Sequence, residues 1–385
     1  MDHSATTPVA AEVLEAMLPY FSDKFGNASS LHGFGREARE ALEESRQKLA
    51  RLLNADPGEI VFTSGGTESD NLALRGIAYK NRNSGRHIIT SQIEHPAILE
   101  TCRSLEREGF SVTYLPVNRE GLIELSELKG AIRPDTILIS IMHANNEVGT
   151  IQPLEEVGRL AADRDIYLHT DAVQTVGKIN VDVEAMGADL LSLSAHKLYG
   201  PKGVGALFIR RGTKIQSLAT GGGHERNLRS GTENVAGIVG LARAADLARE
   251  EMAEEGRRLV ELRDRLAELV LGRVKDAWVN GSREKRLPGS LNLGFSYVEG
   301  ESLLLYLDSK GIAVSTGSAC SSHKLEPSHV LLALGLKPEE CHGSLRITMG
   351  RSNSREQVDY VADCIAEAVE RFRMMSPLGR DEGRK

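Results

Sequence analysis

The stretch IYLHTDAVQ, residues 166–174, decides the fold. An apolar run of strand length stops abruptly at polar residues, and Asp171 stands where a strand gives way to a turn. The same construction recurs on both sides. EIVFT (59–63) runs into SGGTESDN, HIIT (87–90) precedes the EH pair at 94–95, TILISIM (136–142) runs into HANNE, and DLLSLS (189–194) into AHK. VTYLP (112–116) and VGALFI (204–209) add further runs, the latter after a GPKG turn. Helix-length segments lie between most of them. One, REAREALEESRQKLARLL (36–53), places Ala38, Leu42, Leu49 and Leu52 on a single face. Strands alternating with helices predict an α/β domain with parallel pairing and helices on both faces. Ligands of such sheets bind at the carboxyl ends of the strands, which is where these polar motifs fall.

From about 235 to 275 the pattern is one long helix, which leads into a smaller α+β domain carrying SLNLGF, SLRITMG and the helix EQVDYVADCIAEAVERF. The reading divides the chain into a large domain, 15–255, and a small domain, 256–385, with residues 1–14 packing on the small one. The chain has 385 residues, 41% hydrophobic and 26% charged, enough for a sizeable core. A net charge of −7 argues against a nucleic-acid partner, and no apolar stretch reaches the ~18–20 residues of a membrane span. MDHSATTP has neither the basic region nor the apolar run of a signal peptide. The four cysteines, 102, 320, 341 and 364, form no CxxC pair, so free thiols in a reducing cytoplasm are expected. Cys102 and Cys364 fall at apolar helical positions and read as buried; Cys341, in KPEECHGS, could be exposed.

Three motifs carry chemistry. SGGTES (64–69) follows a strand and opens a helix, so its glycines and Thr67 could cradle a phosphate, although a simple capped helix start fits as well. It has neither the lysine of a Walker loop nor the GxGxxG spacing. Asp171, a turn former in the plainest view, could instead aim a carboxylate at a cationic ring nitrogen. Lys197 lies just beyond a strand among Ser, His and Gly, where desolvation suits Schiff-base chemistry. Together they supply what pyridoxal phosphate needs: a phosphate anchor, a pyridinium partner and a lysine. In STGSACSSHKLEPSH (315–329), Cys320 stands without apolar neighbours or a second cysteine.

SGGTESDN, IEHPA, HANNEVGTIQP, HTDAVQ, SAHKLYGPKGVGAL, GGGHERNLRSGTEN and GSACSS occur in one order. Over nearly the whole chain the sequence resembles the cysteine desulfurases of iron–sulfur cluster assembly, class-V aminotransferase-like members of fold-type-I pyridoxal-phosphate enzymes. The resemblance implies a mostly parallel, seven-stranded sheet flanked by helices plus the smaller α+β domain. It implies catalytic roles for Lys197, Cys320 and His95. It implies that Gly66, Thr67, Asn146, Asp171, Gln174, Ser194, His196 and Thr232 contact the cofactor, Thr232 that of the neighbouring subunit in a homodimer. Arg346 would hold the substrate carboxylate, with Asn27 a weaker member of that pocket. The implied reaction turns L-cysteine into L-alanine and leaves sulfur on Cys320 as a persulfide for an iron–sulfur scaffold protein. In this resemblance Asp70 stands where Asn is usual, which brings an acid near the phosphate. A selenocysteine lyase or another class-V enzyme is the alternative within enzymes. A cluster- or metal-binding protein without turnover is the other, in which Cys320 and His323 would supply two ligands, too few for a closed site; Cys320 could also serve as a transient cluster ligand shared with a scaffold.

Overall fold

The computed structural model describes residues 1–316 and 326–375. Strands β1 (Ile60–Thr63), β2 (His87–Ser91), β3 (Ser111–Leu115), β4 (Thr136–Ser140), β5 (Tyr167–Asp171), β6 (Leu190–Ser194) and β7 (Gly205–Ile209) form one sheet, in the order β1-β7-β6-β5-β4-β2-β3. Pairs β2–β3, β2–β4, β4–β5 and β5–β6 are parallel. β7 runs antiparallel to both β6 and β1, so the sheet is mixed. Only residues 195–204 join β6 to β7, too short for the crossover of a dozen or more residues that a parallel pair requires.

Alternation along each strand splits the sheet's side chains between two cores. Ile60, Phe62, Ile89, Leu191 and Phe208 join one cluster, together with Leu49 and Leu53 of the helix Gly33–Leu53. Val61, Ile88, Leu190 and Leu207 join the other, under Leu72, Leu74 and Ile77 of the helix Gly66–Asn81. Both faces are therefore covered, and only the strand ends remain open to a ligand.

A second sheet, in the order β10-β9-β8, is antiparallel: β8 (Ala277–Val279), β9 (Ser290–Phe295) and β10 (Ser344–Thr348). Its core collects Leu291, Leu293, Phe295, Leu345 and Ile347 against Val358 and Ile365 of the helix Arg355–Met375. The 39-residue helix Val235–Arg273 belongs to both units. Ile238, Leu241, Ala244 and Ala248 pack in the large core, whereas Leu259, Leu262, Leu266 and Val270 pack in the small one. The N-terminal segment also touches both: His3 N donates to the Thr348 carbonyl, Thr7 N to that of His196 and Ala10 N to that of Tyr199.

Cys102 and Cys364 are buried, as the apolar spacing around them requires. Cys341, for which KPEECHGS left exposure open, is buried too. The short helix Pro338–His342 places it among Ile93, Met142, Val148 and Leu331, and burial pushes its thiol up to about 11. Among the described residues no helix is long and apolar enough to cross a membrane.

Candidate active site

The strand ends meet in a cavity of about 320 Å³. Of the residues singled out in the sequence, Gly66, Thr67, His95, Asn146, Asp171, Gln174, Ser194, His196, Lys197 and Arg346 all line it. Chain tracing explains the gathering. β1 delivers the Gly65–Gly66 turn, β2 leads to His95, β4 to the HANNE loop, β5 ends on Asp171 and β6 leads into the turn Ala195–Lys197.

The floor for an anion is the start of the helix Gly66–Asn81. Gly65 has φ +151°, a conformation side chains resist, and the helix begins without a side-chain cap. A Cβ on Gly66 would stand 2.7 Å from Val173 Cγ2, so this position also needs glycine for space. The nearby acid Glu68 is committed elsewhere, accepting from Ser64 N at 2.6 Å and Arg229 Nε at 2.8 Å. Amides of the first turn, with the helix dipole behind them, thus suit a phosphate.

Asp171 is 6% exposed and accepts from Val173 N at 2.9 Å. Burial pushes its carboxyl up, and the Val173 N–H and the charge of Lys197 pull it back. Asp70 lies beside it, 1% exposed, with Oδ1 lacking a hydrogen-bond partner among the described residues. Burial and the charge of Asp171 drive its carboxyl well above the usual range. His169 Nε2 is 3.6 Å from Asp70 Oδ1, but burial depresses this imidazole to about 3 and it is neutral.

His95 caps the helix Pro96–Arg107, its Nδ1 accepting from Ala97 N at 3.1 Å. That bond fixes the tautomer: the neutral ring carries its proton on Nε2. Burial lowers its pKa, which keeps it neutral. Lys197 Nζ donates to the carbonyls of Ser4 and, at 2.7 Å, of Ala5. Gln174 has its amide orientation set by Lys178 and the Ser4 carbonyl. Its Oε1 accepts from Lys178 Nζ at 2.8 Å, and its Nε2 donates to the Ser4 carbonyl at 3.1 Å. The Ser4 carbonyl can only accept, so the NH2 end of Gln174 is held on the Ser4 side. Asn146 follows Asn145, whose Oδ1 accepts from both Glu147 N and Val148 N at 2.9 Å and shapes the loop.

Two candidates lie outside the cavity of their own chain. Asn27 is exposed and spends Oδ1 on Ser29 N at 2.9 Å. Thr232 is exposed on the segment after Glu225, Arg226 and Asn227, three consecutive residues with positive φ. Glu225 anchors that segment, accepting from Arg46 Nη1 and Nη2 and from Phe62 N at 2.8–2.9 Å. Cys320 and His323 lie outside the described residues. Among the described residues no group of His, Cys, Asp and Glu is arranged to hold a metal ion.

Residues not singled out in the sequence complete the site: Asp2, whose carboxylate pairs with Arg346; the Ser4 and Ala5 carbonyls; and Lys178. Lys178 sits one helical turn's spacing after Gln174, a signal available in the sequence. Asp2 lies 344 positions from its partner, and local pattern carries no trace of that pairing. The donor set fits pyridoxal phosphate: an uncapped glycine-rich helix start, the buried carboxyls of Asp171 and Asp70 side by side, and a lysine on a strand-end turn.

A sequence model of the Aminotransferase class-V family matches residues 1–361. The chain is 56% identical to a cysteine desulfurase IscS of Dictyoglomus turgidum over 381 residues, covering 99% of this chain and 97% of that protein. It is 55% identical to the protein of the same name from Methanosarcina thermophila, over 100% of this chain and 95% of the relative. Among solved structures, a NifS-like protein superposes with a TM-score of 0.90 at 42% identity, covering 96% of this chain and 98% of its own. A structure described as SspA in complex with cysteine gives 0.81 at 40% identity, covering 90% and 97%.

Proposed function

The chain belongs to the class-V aminotransferase family, and from that premise we infer that it is a pyridoxal-phosphate-dependent cysteine desulfurase, converting L-cysteine to L-alanine. The observation that carries this reading is the meeting of Lys197, Asp171, Arg346 and the Gly66–Thr67 helix start in one cavity.

Gly66, Thr67, Ser194 and His196 would hold the cofactor's phosphate, Asp171 its ring nitrogen, and Gln174 and Asn146 its phenolic side. Bound there, pyridoxal phosphate supplies an electron sink that makes the substrate's Cα proton acidic. Lys197 Nζ takes and returns that proton. His95, neutral with its proton on Nε2, covers the ring and can pass a proton at that atom. Arg346 orients the substrate by its carboxylate. The Cys320 thiolate attacks the substrate sulfur: the C–S bond breaks, an S–S bond forms, and the electron pair left on Cβ takes a proton. Enzyme thiol and L-cysteine thus become enzyme persulfide and L-alanine without an outside oxidant.

The working form in this reading is a homodimer in a reducing cytoplasm, with an iron–sulfur scaffold protein as sulfur acceptor and Cys320 as a transient cluster ligand there. Two observations support the dimer. Thr232 and Asn27 are exposed outside their own cavity, and Leu14, Leu18, Phe21, Phe25, Leu31 and Phe34 are all exposed, Leu31 to 83%. The domain division at 255/256 belongs to the same proposal; the two cores on either side of it support it.

The test is a cysteine-to-alanine assay with trapping of a persulfide peptide. Expected are a yellow protein bleached by borohydride, sulfur mapped to Cys320, and loss of sulfide release with retained colour in Cys320→Ala. A protein that stays colourless with added cofactor rules the reading out. Activity on cysteine that survives Cys320→Ala favours a lyase-type class-V enzyme instead.

A further inference from the structure

Arg346 is 4% exposed, yet its guanidinium is only partly engaged. Nη2 donates to Asp2 Oδ1 at 3.0 Å and Nη1 to the Asn146 carbonyl at 3.3 Å. Nε is buried and has no hydrogen-bond partner among the described residues. The second oxygen of Asp2 accepts from Ser315 Oγ at 2.9 Å, and Ser315 and Arg346 exchange backbone hydrogen bonds at 3.1 and 2.7 Å. A carboxylate of the chain itself therefore sits on the guanidinium that the proposed function gives to the substrate.

Geometry says what that carboxylate does. A guanidinium has five N–H donors in a rigid fork. The two contacts above grip it on both terminal nitrogens and leave Nε–H among the unused donors. A buried guanidinium with no counter-charge is costly, and a flexible side chain on a three-carbon stem with no grip would lose entropy on meeting its ligand. Asp2 removes both costs before substrate arrives. Its side chain is 22% exposed and engages one terminal nitrogen, so it does not cap the whole fork.

We propose that Asp2 is a positioning residue for substrate: it holds Arg346, which lines the cavity, with three of its five N–H donors unspent among the described residues and ready for the α-carboxylate of an amino acid, and ties that guanidinium to Ser315. This rests on the reading of Arg346 as the carboxylate ligand.

The experiment compares the full-length holoenzyme with Asp2→Ala, Asp2→Asn and Arg346→Lys. The readouts are KM and kcat for L-cysteine and the dissociation constant for L-alanine by calorimetry, with melting curves to establish folding. Asp2→Ala should raise KM and the L-alanine dissociation constant by ~10-fold or more, the scale of one lost charge-assisted hydrogen bond, with kcat changed far less. Asp2→Asn keeps an acceptor for Arg346 and a polar partner for Ser315, and should recover most of that loss. The proposal is overturned by an unchanged KM in Asp2→Ala, by a fall in kcat alone, or by Asp2→Asn doing no better than Asp2→Ala. A lowered KM overturns it as well, since Asp2 would then compete with substrate. If Arg346→Lys leaves both constants unchanged, the assignment of Arg346 itself fails. If Arg346→Lys raises them while Asp2→Ala does not, only the role of Asp2 fails.

Discussion

Glu94 is a carboxyl with no exposed surface, accepting from Ser91 Oγ at 2.6 Å and from Met142 N at 3.0 Å. Burial pushes it up to about 8, against the pull of those hydrogen bonds. The unfolded chain releases this proton near the ordinary 4.5, whereas the folded one keeps it to about 8. Between these values the folded state binds the extra proton, so its stability is full below the lower value and declines as pH rises through the upper one. Glu147, pushed up to about 7 and bonded to Ser328 Oγ at 2.5 Å, adds to the same trend. Glu94→Gln cannot titrate, so the drop in melting temperature from about pH 5 to about pH 8 should be shallower in that variant than in the parent. Equal slopes in the two proteins would remove Glu94 from the account. At this scale the sequence was informative about Lys197 and Asp171, because a charged residue directly after an apolar run is conspicuous. Asp2 and Asp70 were not legible: their roles depend on partners brought close by folding and on burial, neither of which local spacing encodes.

Elements were easier to read than residues, since period-2 runs and amphipathic spacing reflect burial directly. The runs at 59–63, 87–90, 189–194 and 204–209 all became strands within a residue of their expected ends. The reversed direction of β7 was the exception, and the brevity of the link after β6 was the physical signal for it. Gly205 of β7 faces Leu193 O and Gly65 Cα so closely that a Cβ would lie 2.5 and 2.7 Å from them, so the anion floor is braced by backbone against backbone. The helix Val235–Arg273 offers the opposite case. Gly256 lies in its interior, and a Cβ there would meet nothing nearer than Pro288 Cγ at 3.8 Å. Gly256→Ala should therefore stabilise the protein by about 0.5–1 kcal/mol through helix propensity alone. A denaturant midpoint that fails to rise at unchanged slope would contradict this.

At the scale of the whole molecule, the site is incomplete in one chain if Thr232 serves the neighbour. Two crippled subunits then become complementary. Lys197→Ala and Thr232→Ala proteins, mixed under conditions that exchange subunits, should regain activity that neither has alone, because each mixed dimer holds one site with both residues intact. No gain on mixing, with exchange verified by mass, would place Thr232 outside the partner's site. The dimer was legible only through the family resemblance. Exposed apolar side chains such as Phe21 and Phe25 look like ordinary core residues until the fold leaves them on the outside.

The long helix shared by the two cores has a further consequence. Its ends are clamped, near Ile238–Ala248 by one cluster and near Leu259–Val270 by the other, while residues 249–258 face solvent or lie half-buried between them. At 1.5 Å per residue it is a beam about 58 Å long, held at both ends by apolar cores and at midspan by polar contacts, Glu251 and Glu255 to Arg351 and Arg258 to the carbonyls of Gly350, Arg351 and Asn353. Helices ordinarily fray from their termini. In this one, the central turns are held by surface ion pairs and hydrogen bonds and not by an apolar core, so deuterium should enter there before it enters the two clamped halves.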